Sequence, residues 1–285
     1  MTGTIAGAVE RGRARLVAAG IETAHLDACV LFEHAAGFDR AALLARGREP
    51  VETDTARTYD GLLGERARRI PLSYITGKRE FWSMRLRVDS RVLVPRPETE
   101  TLVEAALDRI NPGARVADIG TGSGAIVIAL ARELGSGAFL GTDRSAAAIE
   151  VARANAAEHG LAGNIEFFEG DLLAPLCGLP GLFDALISNP PYIPTAEIDE
   201  LQPEVRDQEP RAALDGGPDG LALIARIIAD APPLLRCGGW LLLEIGAGQA
   251  ESVRALLRRT GCFEKISTHC DLAGIERVVA ARRAA

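Results

Sequence analysis

The residues best suited to chemistry in this sequence stand where apolar runs end. Gly120, Thr121, Gly122, Ser123 and Gly124 follow VADI, and Asp143 closes AFLGTD. Asp171 and Leu172 follow IEFFEG, and Asn189, Pro190, Pro191 and Tyr192 follow FDALIS. Glycines in a strand-to-helix turn let the backbone approach a ligand closely, and the next helix offers free N–H groups. Gly120, Gly122 and Ala125 also fit the relaxed dinucleotide pattern, so an NAD-binding loop and a plain tight turn are both open readings. Asp143 is placed to accept from ribose hydroxyls or to cap the following helix, although Ser145 can take the cap instead. Asp171 can accept from an adenine amino group while Leu172 lies against the ring, or it can serve as a turn residue.

Asn189 precedes proline and is pushed into an extended conformation. Pro190 and Pro191 fix φ and remove two backbone donors. What remains is a stiff segment with two acceptors, the Asn189 side-chain oxygen and the Pro190 carbonyl. An –NH2 group has two hydrogens to give to such a pair, and Tyr192 can lay its ring beside the planar group that carries it. Amide and exocyclic amine nitrogens are poor nucleophiles because their lone pair is delocalised. Gripping both hydrogens aims that nitrogen at an electrophile such as a sulfonium methyl, and positioning of this kind is worth roughly 7–11 kcal/mol of barrier. Hydride transfer has no need of such a clamp, which weakens the NAD reading.

The elements that must position these residues follow from periodicity. Residues 1–75 repeat apolar side chains at helical spacing, with glycines at 20, 37 and 47 where helices would stop, and no residue pair there looks catalytic. TGKREFWSMRLRVDSRVLVPRP alternates in the manner of strands, so 76–96 reads as a hairpin connector with Asp89–Ser90 as its turn. From 97 to 285 strand-like and helix-like segments alternate, which predicts an α/β domain with a mostly parallel sheet covered on both faces. KISTHC and ERVVAA have no helix between them and should form an antiparallel pair at one edge.

Composition narrows the class. No apolar run approaches membrane-spanning length, and the N-terminus lacks a signal-peptide pattern. Five scattered cysteines without CxxC spacing suggest reduced thiols in a cytoplasmic protein, and His25, His34, His159 and His269 form no metal-ligand cluster. A net charge of −7 argues against broad affinity for nucleic acid and suits a protein partner.

Five segments carry a resemblance over nearly the whole chain: PLSYITGKREFWSMRLRV, VLVPRPETE, VADIGTGSGAI, ISNPPYI and EPRAALDGGPDGL. They are similar to those of class I S-adenosylmethionine-dependent methyltransferases. More narrowly, the chain resembles the PrmC/HemK family, the release factor glutamine N5-methyltransferases. The resemblance implies a small N-terminal helical domain, a β-hairpin connector and a Rossmann-like catalytic domain with a seven-stranded sheet. It places the cofactor loop on Gly120 to Gly124, the ribose acid on Asp143 and the adenine contact on Asp171 and Leu172. The glutamine clamp falls on Asn189, Pro190, Pro191 and Tyr192, with Asn189, Pro190 and Tyr192 as the catalytic set and Asn189 also reaching the cofactor. Leu93 and Leu172 stand where some relatives carry an aromatic. Arg96 and Glu98 either shape the pocket entrance or form a connector salt bridge. The implied cofactor is S-adenosylmethionine, converted to S-adenosylhomocysteine, with no metal. The implied partner is a class 1 peptide chain release factor methylated on the glutamine of its GGQ motif, by a cytoplasmic monomer with no membrane or direct nucleic-acid contact. Competing readings are a ribosomal-protein glutamine methyltransferase, an N6-adenine or N2-guanine nucleic-acid methyltransferase, and a cofactor-binding regulator without catalysis.

Overall fold

The computed structural model describes residues 3–285, so the first two residues of the expected helical domain lie outside the described residues. Two compact units divide the chain. One takes in the residues up to Lys78 together with Gln202–Gln208, and the other comprises Arg79–Leu201 and Glu209–Ala285.

The first unit is helical, with α1 (Ile5–Ala18), α2 (Ala24–Ala36), α3 (Arg40–Ala45), α4 (Thr53–Ala67) and α5 (Leu72–Thr76). The Thr4 hydroxyl caps α1 by accepting from Gly7 N, and Asp39 caps α3 by accepting from Ala42 N at 2.7 Å. Ile5, Val9 and Leu16 of α1 meet Leu31 and Phe32 of α2 and Tyr59 and Leu63 of α4 in one core. The buried Tyr59 hydroxyl donates to Ala28 O at 3.1 Å, so no polar atom is stranded there. Arg66 of α4 is also buried. Its Nε donates to Asp27 Oδ2 at 2.7 Å and its Nη2 to Glu204 Oε1 at 2.9 Å, while Arg69 takes the other Glu204 oxygen. Glu204 lies in the returning segment, where α9 runs from Pro203 to Arg206.

From Arg79 the second unit opens with the hairpin of β1 (Lys78–Phe81, its first residue counted in the first unit) and β2 (Met84–Arg87). The expected turn at Asp89–Ser90 is a correction: the strands reverse at Trp82–Ser83, both with positive φ (51° and 54°). Such a turn ordinarily takes Asn or Gly. Here its backbone is held from outside, because Trp82 N donates to Glu100 Oε1 at 2.7 Å and the indole N–H to Glu133 Oε1 at 3.0 Å. Asp89 instead organises the loop after β2, accepting from Arg91 N.

The remaining elements are α6 (Glu100–Leu107), β3 (Arg115–Ile119), α7 (Ala125–Leu134), β4 (Ala138–Asp143), α8 (Ala146–Glu158), β5 (Ile165–Glu169), β6 (Phe183–Ser188), α10 (Ala222–Asp230), β7 (Leu235–Glu244), α11 (Ala250–Thr260), β8 (Phe263–Cys270) and β9 (Glu276–Arg283). The seven-stranded sheet has the order β5-β4-β3-β6-β7-β9-β8. All neighbours are parallel except β9, which runs antiparallel to β7 and β8. Successive residues serve opposite faces. Val116, Ala185, Ile187 and Leu242 pack under α6, α7 and α8, whereas Ala117, Leu186, Leu241 and Leu243 pack under α10 and α11. The chain runs outward from β3 to β5 and then crosses back to β6 on the other side of β3. That reversal leaves a crevice at the carboxyl ends of the central strands, where open α/β sheets bind ligands.

Removing Arg66 alone would leave the Asp27 carboxylate, 2% exposed, without its partner. Arg66→Met is expected to cost about 3–5 kcal/mol, measured by urea unfolding. The double substitution Asp27→Leu/Arg66→Met should cost clearly less, because no charge is then stranded in the helical core.

Candidate active site

A cavity of about 340 Å³ opens in the crevice. Of the residues nominated from sequence, Gly120, Gly122, Asp143, Asp171, Leu172, Asn189 and Pro191 line it, as does Leu93. Thr121, Ser123 and Gly124 do not, and support the loop from behind. The Thr121 hydroxyl donates to Asp118 Oδ2 at 2.7 Å, and Ser123 O accepts from Asn155 Nδ2 at 2.8 Å. Asn155 also brackets Arg87, accepting from its N–H at 2.7 Å and donating to its carbonyl, so α8 ties β2 to the glycine loop. A Cβ on Gly124, whose φ is +82°, would come within 2.9 Å of Ile128 Cδ1 and 3.2 Å of Ala152 Cβ, so glycine is what lets α7 start here.

Asp143 does not cap α8. Ser145 does, its hydroxyl accepting from Ala148 N at 3.2 Å. Asp143 Oδ2 accepts from Gly122 N and Oδ1 from Ser145 N, both at 2.9 Å. Each carboxylate oxygen retains a further lone pair, so the carboxylate is oriented by backbone and still able to take two hydroxyl hydrogens. Asp171 stands at the rim with Oδ2 paired to Arg226. Leu172 adopts φ +48°, and its carbonyl accepts from the Thr142 hydroxyl at 3.0 Å. That contact holds an unfavourable backbone state in place.

Asn189 emerges from β6 with its amide direction fixed, because Nδ2 donates to Thr99 Oγ1 at 3.1 Å. Pro190 is buried. Tyr192 is not among the cavity-lining residues. Its ring packs on the core beneath α10 and α11, and its hydroxyl donates to Glu244 Oε1 at 3.4 Å. Burial pushes the Tyr192 phenol well up. The loop is backed by the EPRAALDGGPDGL segment: Ile193 N donates to Leu214 O at 3.1 Å and Gly216 N to Ile193 O at 2.8 Å. A Cβ on Gly220 would lie 2.2 Å from Tyr192 O, so this backing segment can approach only as glycine. Gln249 completes the support, donating to Tyr192 O at 2.9 Å.

Arg96 reaches Glu209 Oε1 at 2.6 Å, and Val94 N donates to Glu209 Oε2 at 3.3 Å. Arg96 therefore forms the connector salt bridge, on a Glu209 that burial pushes above the usual carboxylate range despite that pairing. Glu98 is exposed.

Several residues of the site escaped the sequence reading. Asp118, fully buried behind the glycine loop, is pushed up to about 7 by that burial, against the Thr121 hydroxyl and the Val127 N–H, and its Oδ1 has no partner. Glu244 is likewise pushed up to about 7 by burial, with the Thr99 hydroxyl, Arg277 and Tyr192 pulling the other way and Glu98 adding to the rise. A carboxylate at or next to the end of an apolar strand was the available signal for both. Thr99 and Asn155 carry no such signal, being ordinary helix-terminus and helix residues in the sequence.

The site therefore combines a glycine loop, an oriented carboxylate at the end of the neighbouring strand and an amide held by its nitrogen. Residues 7–77 match the family model described as the PrmC N-terminal domain, and residues 110–214 match one described as a methyltransferase domain. The release factor glutamine methyltransferase of Geobacter sulfurreducens is 44% identical over 98% of this chain and 96% of its own length. That of Moorella thermoacetica is 44% identical over 94% and 95%. A solved ribosomal protein L11 methylase from Lactobacillus delbrueckii subsp. bulgaricus shares the fold, with a TM-score of 0.51 at 22% identity over 70% of this chain and 86% of that one. The glycine loop is thus part of a methyltransferase domain and not of a dinucleotide-binding one, and the chain belongs to the release factor glutamine methyltransferase family.

Proposed function

We propose that the protein transfers a methyl group from S-adenosylmethionine to the side-chain amide nitrogen, N5, of the glutamine in the GGQ motif of class 1 peptide chain release factors. The observation that carries this reading is the Asn189–Thr99 hydrogen bond. With Nδ2 committed to Thr99, Oδ1 is the atom left to accept a hydrogen from a substrate –NH2 group. The Pro190 carbonyl, on a segment that two prolines stiffen, is the second acceptor.

The cavity suits the cofactor by the chemistry of its donors and acceptors. Gly120 and Gly122 present backbone, Asp143 an oriented carboxylate for the ribose, and Asp171 and Leu172 a polar and an apolar contact for the adenine. When bound, S-adenosylmethionine supplies an electrophilic sulfonium methyl whose C–S electron pair remains on sulfur. Asn189 and Pro190 hold the substrate nitrogen as it forms the new N–C bond and gives up one hydrogen as a proton to solvent. That proton is acidic once the bond is forming, so the site needs a clamp more than a strong base. No helix among the described residues is long and apolar enough to cross a membrane, and a substrate that works on the ribosome places the reaction in the cytoplasm. The net charge of −7 favours a protein substrate and disfavours nucleic acid as an alternative.

Incubated with S-adenosylmethionine and a recombinant release factor, the protein should add one methyl group to the GGQ glutamine, located by peptide mass spectrometry. Duplex DNA, ribosomal RNA and ribosomal proteins serve as parallel substrates, and methylation confined to any of these would overturn the assignment. Asn189→Ala should retain S-adenosylhomocysteine binding in calorimetry and lose most turnover. Asp143→Ala should weaken that binding by roughly 1.5–3 kcal/mol, the value of hydrogen bonds to a charged acceptor.

A further inference from the structure

We propose that Arg226 is a positioning residue for cofactor recognition, fixing the Asp171 carboxylate so that it accepts from an adenine amino group and rejects a 6-oxo base. The inference rests on the reading of Asp171 as the adenine contact and deepens it by naming what gives that contact its selectivity.

The backbone around Asp171 is held on both sides. Gly170 N donates to Asp143 O at 2.9 Å, and the Leu172 carbonyl accepts from the Thr142 hydroxyl at 3.0 Å. Asp171 O itself accepts from Ala174 N at 3.0 Å. The chain entering and leaving the aspartate is thus tied to the end of β4, and the side-chain torsions are the freedom that remains. Arg226 removes that freedom from α10, 55 residues further along the chain. Its Nη2 donates to Asp171 Oδ2, and both side chains line the cavity.

The helix is built to deliver this group. Ile224, Ile227 and Ile228 of α10 are buried in the core, while Leu223 and Arg226, one turn apart, line the cavity. Ala222 N donates to Gly216 O at 2.9 Å, which ties the start of α10 to the segment backing the turn at Asn189–Tyr192. A local partner was available, because Asp230 stands four residues on, at the spacing of helical ion pairs. The ion pair formed is the long-range one with Asp171. Its two side chains are 51% and 55% exposed, and an ion pair so open adds little to stability. Its consequence lies in where it points the carboxylate.

An ionised carboxylate only accepts. With Oδ2 on Arg226, Oδ1 has no donor from the protein among the described residues. The adenine 6-amino group can give that oxygen a hydrogen. Hypoxanthine carries an oxygen at the same place, so an acceptor would face an acceptor. The penalty is felt only where the carboxylate is unable to turn aside. An unrestrained aspartate at the rim rotates into water and tolerates either base, and ordering it around adenine costs side-chain entropy. Pinned by Arg226, it is ordered before the cofactor arrives and has no orientation that relieves the clash. One hydrogen bond therefore favours the amino base and disfavours the oxo base together.

The test is calorimetric binding of S-adenosylhomocysteine and of S-inosylhomocysteine, its 6-oxo counterpart. The proteins compared are the wild type, Arg226→Met, Asp171→Ala and Asp171→Ala/Arg226→Met. The wild type should bind the adenosyl compound about tenfold or more tightly than the inosyl one, as expected for one hydrogen bond made or refused at a charged acceptor. Arg226→Met should lower that preference to about two- to threefold, weakening the first ligand and sparing or strengthening the second. Its Tm should match the wild type's, since the ion pair is half exposed. In the Asp171→Ala background the arginine substitution should change neither affinity. An Arg226→Met variant with the wild-type preference would overturn the proposal, whether it keeps both ligands or loses both equally. A further loss on adding Arg226→Met to Asp171→Ala would overturn it as well. Asp171→Ala with unchanged affinity for both compounds would instead remove the adenine contact and this inference with it. A wild-type protein that binds neither compound would remove the cofactor reading on which both depend.

Discussion

An amide nitrogen is planar and weakly nucleophilic, and a protein that methylates one has to aim it, because deprotonating it is out of reach near neutral pH. Aiming requires acceptors whose positions do not drift, and the rest of the catalytic unit reads as the means of fixing them. Pro190 and Pro191 remove backbone freedom on one side, and the hydrogen bond from Asn189 to Thr99 removes side-chain freedom on the other.

Fixing a loop at the end of a strand calls for support from segments that the sheet does not itself supply. PRPETE provides Thr99, and EPRAALDGGPDGL provides both the backbone that pairs with Ile193 and the Glu209 that grips Arg96 and Val94 N. The two segments are thus joined to each other as well as to the turn at Asn189–Tyr192. A Cβ on Gly216 would stand 2.8 Å from Pro191 O, so the paired glycines of the second segment are steric requirements of that support. Motifs that look independent in the sequence form one construction around four residues.

Much of this architecture was legible. β4 and β6 coincide with the apolar runs 138–143 and 183–188, because parallel central strands are buried on both faces and read as continuous. β7 begins at Leu235, earlier than the apolar run at 240, because Leu235 pairs with Phe183 ahead of an irregularity and the regular pairing with β6 resumes at Trp240, while Arg236, Cys237, Gly238 and Gly239 carry no strand signal. The hairpin turn at Trp82–Ser83 was illegible for a related reason. Its positive φ values are enforced by Glu100 and Glu133, which lie far along the chain. The return of Gln202–Gln208 to the helical unit likewise turns on Glu204 meeting Arg66 and Arg69, a charge match with no local pattern.

The residues missed at the site share one property: they act on other protein groups and would touch no ligand directly. Asp118 steadies Thr121 in the glycine loop, Asn155 joins that loop to β2, and Glu244 stands behind Tyr192 and Thr99. Periodicity finds side chains that face a core, and motif spacing finds side chains that face a ligand. A buried polar residue that faces another polar residue is visible to neither until the chain is folded. Two of these residues are carboxylates pushed up to about 7 by burial, each with an oxygen that has no partner. Charges so placed weaken a fold unless the desolvation is compensated. Both lie at the carboxyl ends of parallel strands of the same sheet, Asp118 beside the end of β3 and Glu244 closing β7, with β6 between them. The fold therefore carries its electrostatic strain at the edge where cofactor and substrate would meet, and the apolar interiors of the same strands supply the stability that tolerates it.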